Sequence, residues 1–382
     1  MRIEEITLRE IHMRLRERFE TSFGVFRDRR ILLVEICSEG QSGWGEATVL
    51  ESPSYNSEAT DSAWLILRDF LIPLVLGKDI TEASALERAM APVRGHEMAK
   101  AALENAFWDI QAQEKAVPLA CLLGATRSEI PCGVSIGIQD SIPALLSKIE
   151  TELRDGYQRV KIKIKPGNDL NLVQAIRRQY PEIRLMVDAN SAYSLADSYR
   201  LLALDSFNLM MIEQPLAWDD IYEHAILQAQ LRTPICLDEC IHNAGHAKAA
   251  IKLHACGIIN IKLGRVGGHS GARRLHDVCV QNSIPVWCGG MLESGVGRAH
   301  NIAMSGLPGF VLPGDVSASR RYWHEDIIEP EVEVTSSGTI CLPTTAGLGY
   351  TIRRSRIEQL TVRKETQRAT PVQIVVEKLH CS

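Results

Sequence analysis

A (β/α) barrel following an α+β domain is the fold this sequence predicts, and three observations predict it. From Cys132 onward, short apolar runs alternate with amphipathic helical stretches, giving eight strand candidates. Five of these runs end in a charged residue at one period, at Lys163, Asp188, Glu213, Asp238 and Lys262, with spacings of 25, 25, 25 and 24 residues. Before Cys132 the order is strands first and helices after, as in an α+β unit. A doubly wound sheet is the alternative, but such sheets seldom repeat so evenly, and charges ending consecutive strands suit a barrel.

The elements follow in chain order. ILLVEICSEG and GQSGWGEATVL read as strand, turn and strand around Gly40–Gly43, preceded by a further N-terminal strand. Between that N-terminal strand and this pair, RFETSFGVFRDRR is read as a loop carrying Phe19, Phe23 and Phe26 with Gly24 as pivot, either packed locally or closing over a site. Helical patterns cover roughly 58–76, punctuated by Pro73, and HEMAKAALENAFWDIQAQEKA, where Ala99, Ala102, Leu103, Ala106, Phe107 and Ile110 recur at three and four residues. The barrel strands are CGVSIGI, RVKIKIK, IRLMVD, LMMIE, PICLD, GIINIK, PVWCGG and FVLPGD. The expected division is a capping part over 1–125, a barrel over 126–320, and a segment over 321–382 that returns to the first domain. The last residues of that segment carry no assignment.

Hydrophobic residues make up 45% and charged residues 23% of the 382, ordinary for a globular chain with a sizeable core. A net charge of −5 argues against nucleic acid or an anionic membrane as main partner. No apolar run approaches the ~20 residues of a membrane span, and the charged N-terminus does not read as a signal peptide. A cytoplasmic location is therefore expected. The ten cysteines are scattered without a C-x-x-C pair and read as small buried thiols.

Groups at the carboxyl ends of barrel strands converge on one face. Asp188, Glu213 and Asp238 should therefore meet, and unit charges ~4 Å apart repel by about 4 kcal/mol at an effective dielectric of ~20. A hard divalent cation with oxygen ligands relieves this, and Mg²⁺ is the best match. Lys161, Lys163 and Lys165 alternate on the second strand, so all three should share a face. A metal and a second lysine nearby would bring a lysine's pKa down toward use as a general base. Lys262 comes from the other side. This arrangement favours proton abstraction beside a carboxylate, with charge stabilised on an enediolate. Arg265, three residues on, stands where it tunes Lys262, or with GRVGGHSGAR holds an anion. Met291 in WCGGMLESG offers a wall for substrate, while His269 and His276 read as packing or surface residues.

With these residues in view, the chain resembles the enolase superfamily in its muconate-lactonising branch, nearest the o-succinylbenzoate synthases and N-succinylamino acid (N-acylamino acid) racemases. The resemblance covers about residues 1–360 through FETSFG, GWGEA, AKAALENAFWDI, KIKIKPG, VDAN, IEQPL, PICLDE, NIKLGRVGG, VWCGGMLESGVGRA and LPGDVSAS. It implies a (β/α)7β barrel with an α+β capping domain, and Mg²⁺ (Mn²⁺ or another divalent ion in its place) on Asp188, Glu213 and Asp238. It implies that Lys163 and Lys262 are the acid/base pair. Lys161, Ser135, Asn190, Arg265, Gly290, Met291 and Leu292 are implied as substrate contacts, with Phe19, Phe23, Leu50 and Tyr55 from the cap. The implied reaction is dehydration of 2-succinyl-6-hydroxy-2,4-cyclohexadiene-1-carboxylate in menaquinone biosynthesis, with racemisation of N-acylamino acids as alternative or second activity. Dipeptide epimerisation, muconate cycloisomerisation and a non-catalytic barrel fit less well. The expected partner is a small carboxylate, in a homo-oligomer. Lys165 and Leu263 depart from the family's usual residues.

Overall fold

The computed structural model describes residues 1–370, and the end of the tail, 371–382, lies outside the described residues. The chain opens with an antiparallel meander of β1 (Glu5–Glu20), β2 (Val25–Ser38) and β3 (Gln41–Ala47). The β2–β3 link is the two-residue turn Glu39-Gly40, with φ of 51° and 79°, the double positive φ that matches strand twist in a type I′ hairpin. The expected aromatic loop is mostly strand. Phe19 pairs with Phe26 and Glu20 with Val25, so only the Thr21–Gly24 tip turns. The alternation continues through Arg14, Arg16 and Arg18 on β1, and pairing with β2 resumes past an irregularity.

The helix beginning at α1 (Thr60–Ile66) runs through a π-helical turn, Leu67–Leu71, into Ile72–Val75. Pro73 supplies the reason, because its ring and missing N–H oppose a regular i→i−4 ladder there. Next come α2 (Ala83–Met90) and α3 (Glu97–Glu114). β3 lies directly on α3, which is why it reads GWGEA. A Cβ at Gly45 would run into the Ala102 carbonyl and lie 2.9 Å from the Ala106 nitrogen, so only glycine permits the approach.

Seven parallel strands then form one sheet in sequence order: β4 (Val134–Ile136), β5 (Val160–Lys163), β6 (Leu185–Asp188), β7 (Ile212–Glu213), β8 (Ile235–Leu237), β9 (Ile258–Ile261) and β10 (Val286–Cys288). The eighth candidate, FVLPGD, is not a strand. It closes the barrel through single bridges, Phe310 to Val286 and Gly314 to Cys132, because Pro313 has no N–H to donate to a ladder. Helices cover the outside, among them α4 (Ile142–Arg154), α5 (Leu170–Gln179), α6 (Ser198–Ala203), α7 (Tyr222–Gln228), α8 (Ala244–Lys252), α9 (His269–Gln281) and α10 (Gly295–Ser305). The last strand among the described residues, β11 (Thr361–Arg368), pairs antiparallel with β1.

Strand alternation divides the barrel residues into two apolar sets. Leu185, Val187, Ile212, Ile235, Leu237, Ile259 and Ile261 belong to the main core. Met186, Met211, Cys236, Ile258 and Trp287 form a separate plug. Lys161 and Lys163, Asp188, Glu213, Asp238, and Asn260 and Lys262 stand on the plug side of their strands by the same period of two. The charges thus rest on an apolar floor. Two buried carboxylates from the first 125 residues clip that part to the barrel. Glu104 accepts from the first N–H groups of α9, and Glu46 from those of α10. All nine cysteines among the described residues are free, with Cys236 and Cys288 buried. Among the described residues no helix is long and apolar enough to cross a membrane.

Candidate active site

Lys163, Asp188 and Glu213 are the last residues of β5, β6 and β7, and register pairs Lys163 with Asp188 and Asp188 with Glu213. Asp238 and Lys262 follow β8 and β9 by one residue. All five side chains therefore arrive at one level and are buried.

Their contacts are tight. Lys163 Nζ donates to Asp188 Oδ2 at 2.6 Å and to Asn190 Oδ1 at 2.7 Å. Lys161 sits one layer lower, 2.8 Å from Glu213, 3.2 Å from Asp188 and 2.7 Å from Asp315, with its ammonium 4.8 Å from the Trp287 ring centre. Opposite, Lys262 Nζ reaches Asp238 at 2.7 Å and the Tyr55 hydroxyl at 3.1 Å. Arg265 lies behind this pair and donates to Asp238, to the Tyr55 hydroxyl at 2.8 Å, and to the carbonyls of Ile241 and Asn260.

Burial pushes Asp188 and Asp238 upward, yet Lys163 and Lys161 at the first and Lys262 and Arg265 at the second hold both below the ordinary carboxylate range. Glu213 goes the other way, to about 8, through burial first and then the charge of Asp188, against Lys161. Lys262 is shifted upward. Burial disfavours its ammonium, but Asp238, Tyr55 and Glu239 outweigh burial and hold it above the usual lysine range. The physical reason is that the acids here are answered by the lysines themselves.

The donor set suits a hard divalent cation, being three buried carboxylates on consecutive strands with only oxygen to offer. Glu213, pushed up by burial first and then by the charge of Asp188, is the acid of the three whose ionised form is least favoured here. As they stand, the described residues gather no group of three or more His, Cys, Asp or Glu around a common point. Lysine ammonium groups are interleaved with the carboxylates. A cavity lies above Lys163 and Lys262.

That cavity, of about 50 Å³, is lined by Lys163 and Lys262, by Asn190, Gly290, Met291 and Leu292 from the barrel, and by Phe19, Thr21, Phe23, Phe26, Leu50 and Tyr55. Ser135, Lys161 and Arg265 stand outside its lining, Lys161 among the acids and Arg265 behind Tyr55. Lys165 is also apart from it. β5 ends at Lys163, and Lys165 pairs instead with Asn168 in the following turn. Thr21 was not singled out by sequence, nor was Asp315, which accepts from Arg159 and Lys161 at 2.7 Å each. A signal for Asp315 existed: it is the charged residue that ends FVLPGD, the eighth strand candidate.

Comparison with known proteins matches residues 3–124 to the mandelate racemase/muconate lactonizing enzyme N-terminal domain and 144–356 to the enolase C-terminal domain-like family. The chain belongs to the enolase superfamily. Among relatives in that superfamily, a Geobacillus kaustophilus protein named o-succinylbenzoate synthase is 51% identical over 94% of this chain and 96% of its own. A Thermus thermophilus protein named N-succinylamino acid racemase is 46% identical over 95% and 98%. A crystal structure of an enolase superfamily member from Listeria innocua superposes with a TM-score of 0.93 at 40% identity, covering 96% of this chain and 99% of the other.

Proposed function

We propose that the protein is an o-succinylbenzoate synthase, dehydrating 2-succinyl-6-hydroxy-2,4-cyclohexadiene-1-carboxylate, with Lys163 as base and Asp188, Glu213 and Asp238 holding Mg²⁺ or Mn²⁺. The observation that carries this reading is the placement of Lys163 and Lys262 on one cavity from β5 and β9, four strands apart, above three strand-end carboxylates. Relatives at 45–51% identity named for this activity support it. When bound, the cation supplies positive charge to the substrate carboxylate as enediolate character develops there. Lys163, as free amine, takes the proton α to that carboxylate. The C–O bond to the hydroxyl on the same face then breaks, and the Lys163 ammonium returns its proton to the departing hydroxide, giving water. Lys262 remains an ammonium, held over the Tyr55 ring at 4.4 Å, and faces the opposite side of the substrate. Phe19, Phe23 and Phe26 exclude water from the cavity.

A second activity, racemisation of N-succinylamino acids, is favoured by the same paired lysines and by relatives named for it. There Lys163 and Lys262 exchange the roles of base and acid across the two faces of Cα.

The test is dehydration of the synthase substrate followed by absorbance, beside deuterium exchange at Cα of N-succinylphenylalanine enantiomers in D₂O. Chelation by EDTA should abolish both signals, and Mg²⁺ or Mn²⁺ should restore them. Failure of the metal-loaded protein in both assays would remove the proposal.

A further inference from the structure

Glu239 follows Asp238, is 3% exposed, and takes no part in the proposed chemistry. Its Oε1 accepts from Asn190 Nδ2 at 2.9 Å, and Asn190 Oδ1 in turn accepts from Lys163 Nζ at 2.7 Å. The other carboxylate oxygen, Oε2, is buried without a partner. Asn190 is itself held in a restricted backbone state, with φ of 42° followed by Ser191 at 63°, and its N–H donates to Asp188 Oδ1 at 2.9 Å.

The two ends of an asparagine amide have nearly the same shape, so neighbours decide which way it points. Here Glu239 Oε1 accepts from the NH₂ end. That leaves the carbonyl end facing Lys163, where it provides an acceptor for the amine. Lys262 makes its hydrogen bonds to Asp238 and Tyr55 instead, and Glu239 reaches it only as a nearby charge. We propose that Glu239 is a positioning residue for Lys163, acting through Asn190 by a hydrogen-bond chain that Lys262 does not share. The proposal rests on the two-lysine reading given above.

The test compares Glu239→Leu with Glu239→Gln in the metal-loaded, full-length protein. The glutamine variant keeps an acceptor for Asn190 and the leucine variant does not. Deuterium exchange at Cα is followed by proton NMR for each enantiomer of N-succinylphenylalanine, and Lys163→Ala identifies the enantiomer whose proton Lys163 removes. Misplacing a reacting group by ~1 Å costs up to about 100-fold. Glu239→Leu should therefore slow that enantiomer by about tenfold or more while the other changes by less than about threefold, with Glu239→Gln near wild type.

Equal slowing of both enantiomers overturns the proposal, as does a glutamine variant as impaired as the leucine variant. A matching loss of Mn²⁺ affinity, measured by paramagnetic resonance of the free ion, also overturns it by placing the effect at the carboxylates. If wild type exchanges neither enantiomer, the two-lysine reading is what fails, and dehydration rates then decide. A slow leucine variant beside a normal glutamine variant upholds the role of Glu239 toward Lys163, and two normal rates reject it.

Discussion

Glu46 offers a quantitative test of how the N-terminal meander holds the barrel. Its carboxylate is 2% exposed and accepts from Ser294 N, from Ser294 Oγ at 2.5 Å, and from Gly297 N at 3.1 Å at the start of α10. Burial raises its pKa from 4.5 to about 8, opposed by the Ser294 hydrogen bond and reinforced by the charge of Glu293. The folded state thus binds a proton that the unfolded state has released between pH 4.5 and about 8. The stabilising contribution is complete below pH 4.5 and is lost as pH rises through about 8. At ~1.4 kcal/mol per pH unit across that window, the loss is on the order of 5 kcal/mol. Glu46→Gln retains the shape and removes the titration. In urea unfolding at a series of pH values, the variant should match wild type near pH 5 and become the more stable protein by a few kcal/mol above pH 8. A wild-type-minus-variant difference that does not change with pH would refute the reasoning. So would one that grows in favour of wild type as pH rises, because that is the sign of an ionised helix cap.

The other predictions concern packing, charge and chemistry. Gly45→Ala should lower stability by about 3 kcal/mol or more, since the new methyl enters backbone of α3; a thermal midpoint within a degree or two of wild type would contradict that packing. Asp315→Asn leaves Arg159 and Lys161 buried with less compensation and should cost about 3–5 kcal/mol at pH 7 in urea unfolding. Because burial is outweighed by Lys161 and Arg159, which depress the Asp315 pKa to about 2, its contribution is present above the unfolded value of 3.8 and lost as pH falls through about 2. The asparagine variant should accordingly flatten the acid limb of the stability profile. Lys262→Ala should reduce racemisation by about 100-fold or more while one enantiomer still exchanges its α-proton, and full exchange of both would contradict a two-base mechanism.

The repeat of apolar runs ending in Lys163, Asp188, Glu213, Asp238 and Lys262 was enough to determine a barrel with those charges at strand ends. Hydrophobic periodicity is a local property, and a period of two places each charge on the same side as Met186, Met211 or Cys236 without knowledge of any partner. The same locality explains why helix patterns such as 97–114 were legible. Other features depended on residues far apart in the chain. Whether FVLPGD formed a strand was decided by Pro313 and by the two sheet edges that it bridges. The hairpin through Phe19 and Phe26 continued as strand because pairing, not composition, ordered it.

Lys165 shows the limit of periodicity, since alternation placed it with Lys161 and Lys163 until the strand stopped two residues earlier. Arg265 and Ser135, expected at the substrate, stand outside the cavity lining, a distinction of layer that no linear spacing encodes. The protonation of Lys262 likewise depends on Tyr55, 207 residues away, and on Asp238 across a strand gap. Sequence determined which chemical groups reach this face. Only the tertiary structure decided which of them touch, because hydrogen bonds and desolvation act over a few ångströms between segments that the chain order keeps apart.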